Sequence, residues 1–106
     1  MPARATCVES TELDTLGRQQ RVFIVDVRSP EEFAAGHVDG AVNIPLDTLA
    51  ARAPELPEDA LVVTVCAKGG GRSARAADQL RARGLTSARS LCGGTEAWLK
   101  RAAQGA

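Results

Sequence analysis

Residues 65–73 read Val-Cys-Ala-Lys-Gly-Gly-Gly-Arg-Ser, so that a single cysteine stands between an apolar run and a glycine-rich turn. The run before it, Leu61–Val65, is rich in β-branched residues, which is typical of a buried strand. Three consecutive glycines need a reason, because glycine loses more conformational freedom on folding than any other residue. The stretch predicts a strand that ends on the thiol of Cys66 and continues into a specialised turn.

The segment after the glycines predicts a helix from Arg72 to Arg83 that ends at Gly84. Glycine adopts positive φ easily, so successive backbone N–H groups of the turn can converge on one anion. The positive end of the helix dipole, the guanidinium of Arg72 and the ammonium of Lys68 add to this field. A thiol in such a place titrates at about 3.5–7.5 instead of about 8.5. Cys66 is therefore a candidate nucleophile, and the alternative is a small buried side chain beside a flexible turn.

Strand and helix patterns alternate along the whole chain. This alternation predicts a parallel sheet covered by helices on both faces, in one domain formed by residues 1–106. Ligands bind beyond the carboxyl ends of the strands in such sheets, which is where Cys66 is expected. The predicted strands are Ala5–Val8, Arg21–Val27, Ala41–Ile44, Leu61–Val65 and Ala88–Leu91, and the predicted helices are 10–16, 30–35, Leu46–Ala53, Arg72–Arg83 and Thr95–Ala103.

Charge and composition exclude several classes of protein. The formal net charge is zero and there are only three aromatic residues, so neither a general nucleic-acid binder nor a base-stacking surface is expected. No apolar run reaches the roughly 20 residues of a membrane span, and the first ten residues lack an apolar signal core. Three cysteines are an odd number, from which we expect no disulfide framework and a cytoplasmic, reducing location.

Three motifs, in this order along the chain, carry a resemblance to a known family. Residues 26–45, DVRSPEEFAAGHVDGAVNIP, fit the pattern D-x-R, E-[FY] and G-H-[IV]-x-G-A-x-N-[IV]-P. The thiol loop with its Gly-Arg-Ser-Ala helix start is the second motif, and Leu91-Cys92-Gly93-Gly94 followed by Trp98 is the third. Together they resemble the rhodanese family, whose sulfurtransferase fold is shared with the cell-cycle dual-specificity phosphatases.

This resemblance implies a three-layer α/β/α fold with a central, mostly parallel five-stranded sheet. It implies that Cys66 takes sulfane sulfur from a small anion such as thiosulfate, or from a persulfide donor, and passes it to cyanide, a thiol or a protein acceptor. Lys68 would bind the sulfonate of the donor. No metal or organic cofactor is implied. The cradle for the anion would be the backbone of Ala67, Lys68, Gly69, Gly70, Gly71 and Arg72.

The loop departs from the family in one respect. Many bacterial rhodaneses have the spacing C-x4-R, whereas this chain has C-x5-R, as in the related phosphatases and arsenate reductases. Oxyanion chemistry is therefore an open alternative, and a non-catalytic sulfur-carrier or binding module is another. Val65 stands where the phosphatase signature has histidine, and the loop has no carboxylate to act as general acid. Sulfur transfer is favoured because sulfite leaves without such an acid.

Four further residues are candidates for secondary roles. Asp26 and Arg28 are expected to form a structural pair, although Arg28 could add to the field at the sheet edge. His37 is expected to make a structural hydrogen bond, since one histidine without nearby ligands makes a poor metal site. Cys92 either packs in the core or resolves an oxidised Cys66 by forming a disulfide. The sequence leaves the oligomeric state open.

Overall fold

Five parallel strands form the central sheet: β1 (Cys7–Val8), β2 (Val22–Asp26), β3 (Val42–Asn43), β4 (Leu61–Val65) and β5 (Arg89–Leu91). The computed structural model describes residues 7–69 and 71–105. The strand order is β1-β5-β4-β2-β3, so the fully buried β4 lies in the middle. The predicted bounds of β4 are confirmed, because an unbroken apolar run is what a central strand requires.

The helices around this sheet are α1 (Leu13–Gln19), α2 (Pro30–Ala35), α3 (Leu46–Arg52), α4 (Gly71–Ala82) and α5 (Gly94–Gly105). Short 3-10 turns precede α1 at Ser10–Glu12 and follow α3 at Ala53–Glu55. The predicted end of the first helix at residue 16 is wrong: α1 continues through Gly17 to Gln19, and a Cβ at Gly17 would meet no atom within 4 Å. Within the described residues, no helix is long and apolar enough to cross a membrane.

The core lies on both faces of the sheet, as a three-layer fold requires. Side chains of β4 alternate, so that Val62 and Cys66 belong to one apolar cluster with Leu80 of α4. Val63 and Val65 belong to the opposite cluster, against which Trp98 of α5 packs. The two clusters confirm the predicted α/β/α architecture and place Cys66 on the α4 side of the sheet.

The register of β2 against β4 brings two predicted site segments together. Asp26 pairs with Val65, and the N–H of Val27 donates to the carbonyl of Val65 at 2.9 Å. The residues that follow the two strands, Arg28 and Cys66, therefore lie at the same carboxyl edge of the sheet.

A disulfide bond joins Cys7 in β1 to Cys92 just after β5, with α-carbons 5.2 Å apart. The expectation of no disulfide framework is therefore wrong, and the alternative in which Cys92 resolves an oxidised Cys66 is not supported, because Cys92 is already bonded to Cys7. Cys7 pairs with Ser90 across the parallel strands, so Cys92 lies two residues further along on the same face. The bond depends on the first and last strands being neighbours, which sequence alone does not show.

Candidate active site

Cys66 follows the last residue of β4 and lies at the boundary between the core and a surface cavity. Only 4% of the residue is exposed. It nevertheless lines a cavity of about 440 Å³ together with four other residues of the predicted loop, Ala67, Lys68, Gly71 and Arg72. Gly70 lies outside the described residues. The structure thus brings most of the predicted site residues around one opening that leads to the thiol.

Ser73, in the first turn of α4, is a hydrogen-bond partner of the thiol. Its Oγ lies 3.2 Å from Sγ of Cys66, within hydrogen-bond reach, and the serine is completely buried. The hydroxyl of Thr64 donates to the carbonyl of Ser73 at 2.8 Å and so fixes this turn of the helix against β4. Sequence reasoning did not assign Ser73 a role, although its position just after Arg72, in the Gly-Arg-Ser-Ala motif, was a signal.

The loop after Cys66 is held by the first turn of α5. The N–H of Thr95 donates to the carbonyl of Cys66 at 2.9 Å, and the N–H of Glu96 donates to the carbonyl of Ala67 at 3.0 Å. In a trans peptide the next N–H points opposite to the carbonyl, so the amides of Ala67 and Lys68 face away from α5. Within the described part of the chain these two amides donate no hydrogen bond.

The glycines of the loop and of the Gly93–Gly94 turn pack against each other. Gly69 has φ of 73°, and a Cβ there would collide with the backbone N of Gly93. A Cβ at Gly94, with φ of 63°, would lie 2.5 Å from the carbonyl oxygen of Cys66. Gly71 is different, because a Cβ there would meet nothing within 4 Å. Close backbone contact is therefore one reason for the glycine-rich sequence.

The guanidinium of Arg72 is held by a carboxylate from α2. It donates to both oxygens of Glu32, at 3.0 and 3.2 Å. This bond is the largest cause that raises the pKa of Arg72, and a negative charge on Cys66 adds a smaller effect. The same bond is the main cause that lowers the pKa of Glu32 to about 2. Sequence reasoning placed Arg72 at the site but missed Glu32, which belongs to the E-[FY] motif.

Glu32 has a second function in the same segment. Its N–H donates to Oγ of Ser29 at 3.2 Å, and its Oε1 accepts from the N–H of Ser29 at 3.1 Å, so the two residues form a capping box at the start of α2. The carboxylate that orients Arg72 is therefore itself fixed by the start of α2.

Asp26 and Arg28 form the expected structural pair. Asp26 is fully buried, and Nη2 of Arg28 donates to its carboxylate and to the carbonyl of Gly36, both at 2.7 Å. The hydrogen bond with Asp26 is the largest cause of the raised pKa of Arg28. Asn43 closes this corner by donating to the carbonyls of Asp26 and Arg28, at 3.0 Å each. The guanidinium of Arg28 is thus bound by Asp26 and by the carbonyl of Gly36.

His37 also has the structural role that was expected. Its Nδ1 is 2.8 Å from the carbonyl of Phe33, and its ring stacks on that of Phe33 with centroids 3.7 Å apart. Lys68, in contrast, is exposed and makes no ion pair with any residue that the structure describes.

A larger groove of about 720 Å³ lies beside the thiol cavity and shares Arg72 with it. One side of the groove is formed by α4 and the other by the start of α3 and the segment after β2. Its lining residues are Val27, Arg28, Ser29, Pro30, Pro45, Leu46, Asp47, Ala50, Arg72, Arg75 and Gln79.

Residues 9–101 match the family model of the rhodanese-like domain. A sulfurtransferase from Allochromatium vinosum is 34% identical over 84% of this chain and 88% of its own length. Human single-domain sulfurtransferase TSTD1 has a TM-score of 0.77, with 32% identity over 91% of this chain and 96% of its own. A Rhodopseudomonas palustris protein described as a "possible tyrosine phosphatase" has a TM-score of 0.78, with 29% identity over 91% of this chain and 80% of its own.

Some relatives are longer, and the chain spans 26% or less of several of them. The match to the family model nevertheless covers most of the present chain, including β2, the thiol loop and the Gly93–Gly94 turn. The chain therefore belongs to the rhodanese-like domain family.

Proposed function

We propose that this domain is a sulfurtransferase that carries sulfane sulfur on Cys66, with thiosulfate as a donor. The surroundings of the Cys66 thiol support this function most directly. Sγ of Cys66 is hydrogen-bonded to the buried Ser73, at the edge of a cavity that Lys68 also lines. Lys68 is exposed and makes no ion pair with a described residue. The thiol donates to Ser73 in the structure, and after ionisation the Ser73 hydroxyl can donate to the thiolate. This hydrogen bond and the nearby positive charge both favour the thiolate, which is the nucleophilic form.

In the first half-reaction the Cys66 thiolate attacks the outer sulfur of thiosulfate. The sulfur–sulfur bond of the donor breaks, its electron pair leaves with sulfite, and Cys66 becomes a persulfide. Lys68 binds the sulfonate, and the amides of Ala67 and Lys68, which donate to no described residue, stabilise the negative charge that moves between the sulfurs. In the second half-reaction a thiolate or cyanide attacks the outer sulfur, and the Cys66 thiolate is restored.

Incubation with thiosulfate followed by intact mass measurement tests the proposal. We expect the mass of one added sulfur, and no addition in Cys66→Ser. Because Cys7 and Cys92 are bonded to each other, their double serine variant is the control that should still load. The absence of an adduct with thiosulfate and with persulfide donors would overturn the proposal.

A phosphatase or arsenate reductase is the second candidate, favoured by the C-x5-R spacing. Among the described residues, however, the thiol cavity is lined by no carboxylate. Glu32, bound to Arg72, has a pKa of about 2 and is ionised at neutral pH, so it holds no proton for a leaving alkoxide. Cys66-dependent hydrolysis of an aryl phosphate would favour this candidate over sulfur transfer.

The remaining proposals concern the setting of the reaction. We propose that residues 1–106 act as one domain in the cytoplasm, on small donors and on a thiol, cyanide or protein acceptor, without metal or cofactor. The Cys7–Cys92 bond removes the argument for a reducing compartment that the odd number of cysteines provided. Cell fractionation followed by immunoblotting tests the location.

A further inference from the structure

The first turn of α5 holds the beginning of the thiol loop. The first N–H groups of a helix have no partner within that helix. In α5 two of them, from Thr95 and Glu96, donate to the carbonyls of Cys66 and Ala67, at 2.9 and 3.0 Å. The backbone geometry around the reactive cysteine therefore depends on the position of this turn of the helix.

The Gly93–Gly94 turn, which leads into α5, is in direct backbone contact with the same loop. A Cβ at Gly69 would collide with the backbone N of Gly93, and a Cβ at Gly94 would lie 2.5 Å from the carbonyl oxygen of Cys66. Because this contact leaves no free space between the two backbones, a displacement of the turn must displace the thiol loop as well.

The Cys7–Cys92 bond fixes the residue immediately before this turn. Cys92 directly precedes Gly93, and its N–H also donates to the carbonyl of Val8 in β1 at 2.8 Å. β1 is an edge strand of only two residues, so the covalent bond is a large part of what holds it to β5. Breaking the bond would free Cys92 at a point two residues from Gly94, which contacts the loop.

The disulfide is more accessible to solvent than the reactive thiol. Cys7 and Cys92 are both partly exposed, whereas only 4% of Cys66 is exposed. In the cytoplasm, the location proposed above, disulfide bonds are usually transient and serve catalysis or redox sensing. An accessible bond next to the turn that holds the thiol loop has the position that such a sensor requires.

We propose that the Cys7–Cys92 bond is a redox switch for sulfur transfer at Cys66. With the bond formed, the Gly93–Gly94 turn holds the thiol loop in its reactive geometry. Reduction by a dithiol releases Cys92, the turn and the loop shift together, and sulfur transfer slows without stopping. The inference rests on the proposed sulfurtransferase function and adds a regulatory site to it.

The switching step is a thiol–disulfide exchange. One thiolate of the dithiol attacks a sulfur of the Cys7–Cys92 bond, which gives a mixed disulfide and one cysteine thiolate. The second thiolate of the reductant then displaces the other cysteine. Two electrons pass to the protein, the reductant becomes a disulfide, and the two protons lost by the reductant are balanced by those that the cysteines take up. A disulfide oxidant reverses the step.

Hydrogen exchange tests the structural link without any sulfur chemistry. The protein is reduced with dithiothreitol, freed of it under nitrogen and compared with the oxidised protein by NMR. We expect the amides of Thr95 and Glu96 to exchange about tenfold faster after reduction, because their bonds to the loop open more often. The double variant Cys7→Ser with Cys92→Ser should match the reduced protein and should not respond to dithiothreitol. Unchanged exchange at both amides would overturn the proposal.

Leu61→Ala separates a local effect from a general loss of stability. Leu61 is buried at the first residue of β4, whereas Cys66 follows the last, so the two lie at opposite ends of this strand. The substitution should lower the free energy of unfolding about as much as loss of a disulfide does. If it accelerates exchange at Thr95 and Glu96 as strongly as reduction, the effect is not local and the switch is overturned.

The rate of persulfide formation tests the output of the switch. Thiosulfate is added after the dithiol has been removed, since a dithiol would itself take the sulfur, and the release of sulfite is followed. A displacement of about 1 Å can cost about a hundredfold in rate, so we expect a smaller shift to slow the reduced protein about fivefold to tenfold. Reoxidation should restore the rate in the wild type but not in the double serine variant.

Equal rates in the oxidised and reduced proteins would overturn the switch. If neither form loads sulfur but exchange at Thr95 and Glu96 still responds to reduction, the sulfurtransferase proposal fails and the structural link between the disulfide and the loop stands.

Discussion

Sγ of Cys66 lies 3.2 Å from Oγ of Ser73, and both residues are buried between β4 and α4. The thiol can donate its proton to the serine, and after ionisation the serine hydroxyl can donate to the thiolate. Because Thr64 fixes the backbone of Ser73 from the strand that also bears Cys66, the two side chains are held together by one rigid unit. The structure thus places beside Cys66 a hydroxyl that can stabilise a thiolate by donating to it.

Ser73→Ala should therefore raise the pKa of the Cys66 thiol. A hydrogen bond to a charged group contributes about 1.5–3 kcal/mol, so we expect a rise of roughly one to two pKa units. The rate of alkylation by iodoacetamide as a function of pH measures this value. Ser87→Ala, in an exposed turn, is the control. An identical titration curve for Ser73→Ala would show that the serine does not stabilise the thiolate.

Glu32→Gln should lower the pKa of the thiol, in contrast to Arg72→Ala, which should raise it. The carboxylate neutralises the guanidinium that faces the cavity, and a glutamine can still accept the capping bond from Ser29. We expect a change of roughly half a unit in each direction because the pair is partly exposed. Glu31→Gln, at the neighbouring exposed position, is the control. If Glu32→Gln and Arg72→Ala shift the thiol pKa in the same direction, the guanidinium does not act on the thiol as described.

The ion pair between Glu32 and Arg72 predicts that the free energy of unfolding falls only in strong acid. The pKa of Glu32 falls from an ordinary 4.5 to about 2 in the folded protein. Its contribution is therefore complete above pH 4.5 and is lost as the pH falls through about 2. Urea unfolding should show a stability difference between wild type and Glu32→Gln that is constant near neutral pH and shrinks below pH 4.5. If the difference in unfolding free energy changes between pH 5 and 8 instead, the ionisation of Glu32 is not its cause.

Lys68→Ala should raise the apparent KM for thiosulfate more than that for an uncharged organic polysulfide. The exposed ammonium can contact the sulfonate, and loss of such an ion pair typically costs up to about fivefold in affinity. Steady-state kinetics with both donors measure the effect, with Lys100→Ala as the control. Equal changes in KM for the two donors would show that Lys68 does not bind the sulfonate.

Local patterns in the sequence predicted much of the fold. The features that they did not predict are contacts between residues far apart in the sequence. The strand Leu61–Val65 and the helix 30–35 depend on near neighbours in the sequence, so their predicted bounds were correct. The bond from Arg72 to Glu32 spans 40 positions and the Cys7–Cys92 bond spans 85. Both require the strand order, which a pattern of alternating strands and helices leaves open.

Removal of the Cys7–Cys92 bond should destabilise the domain without blocking persulfide formation. The bond ties edge strand β1 to β5 across 85 positions, and loss of such a crosslink typically costs about 2–4 kcal/mol of unfolding free energy. Urea unfolding of oxidised wild type, reduced wild type and Cys92→Ser tests this. We expect the last two to agree with each other, and a reductant to leave Cys92→Ser unchanged. If oxidised and reduced wild type unfold at the same urea concentration, the bond does not stabilise this sheet edge.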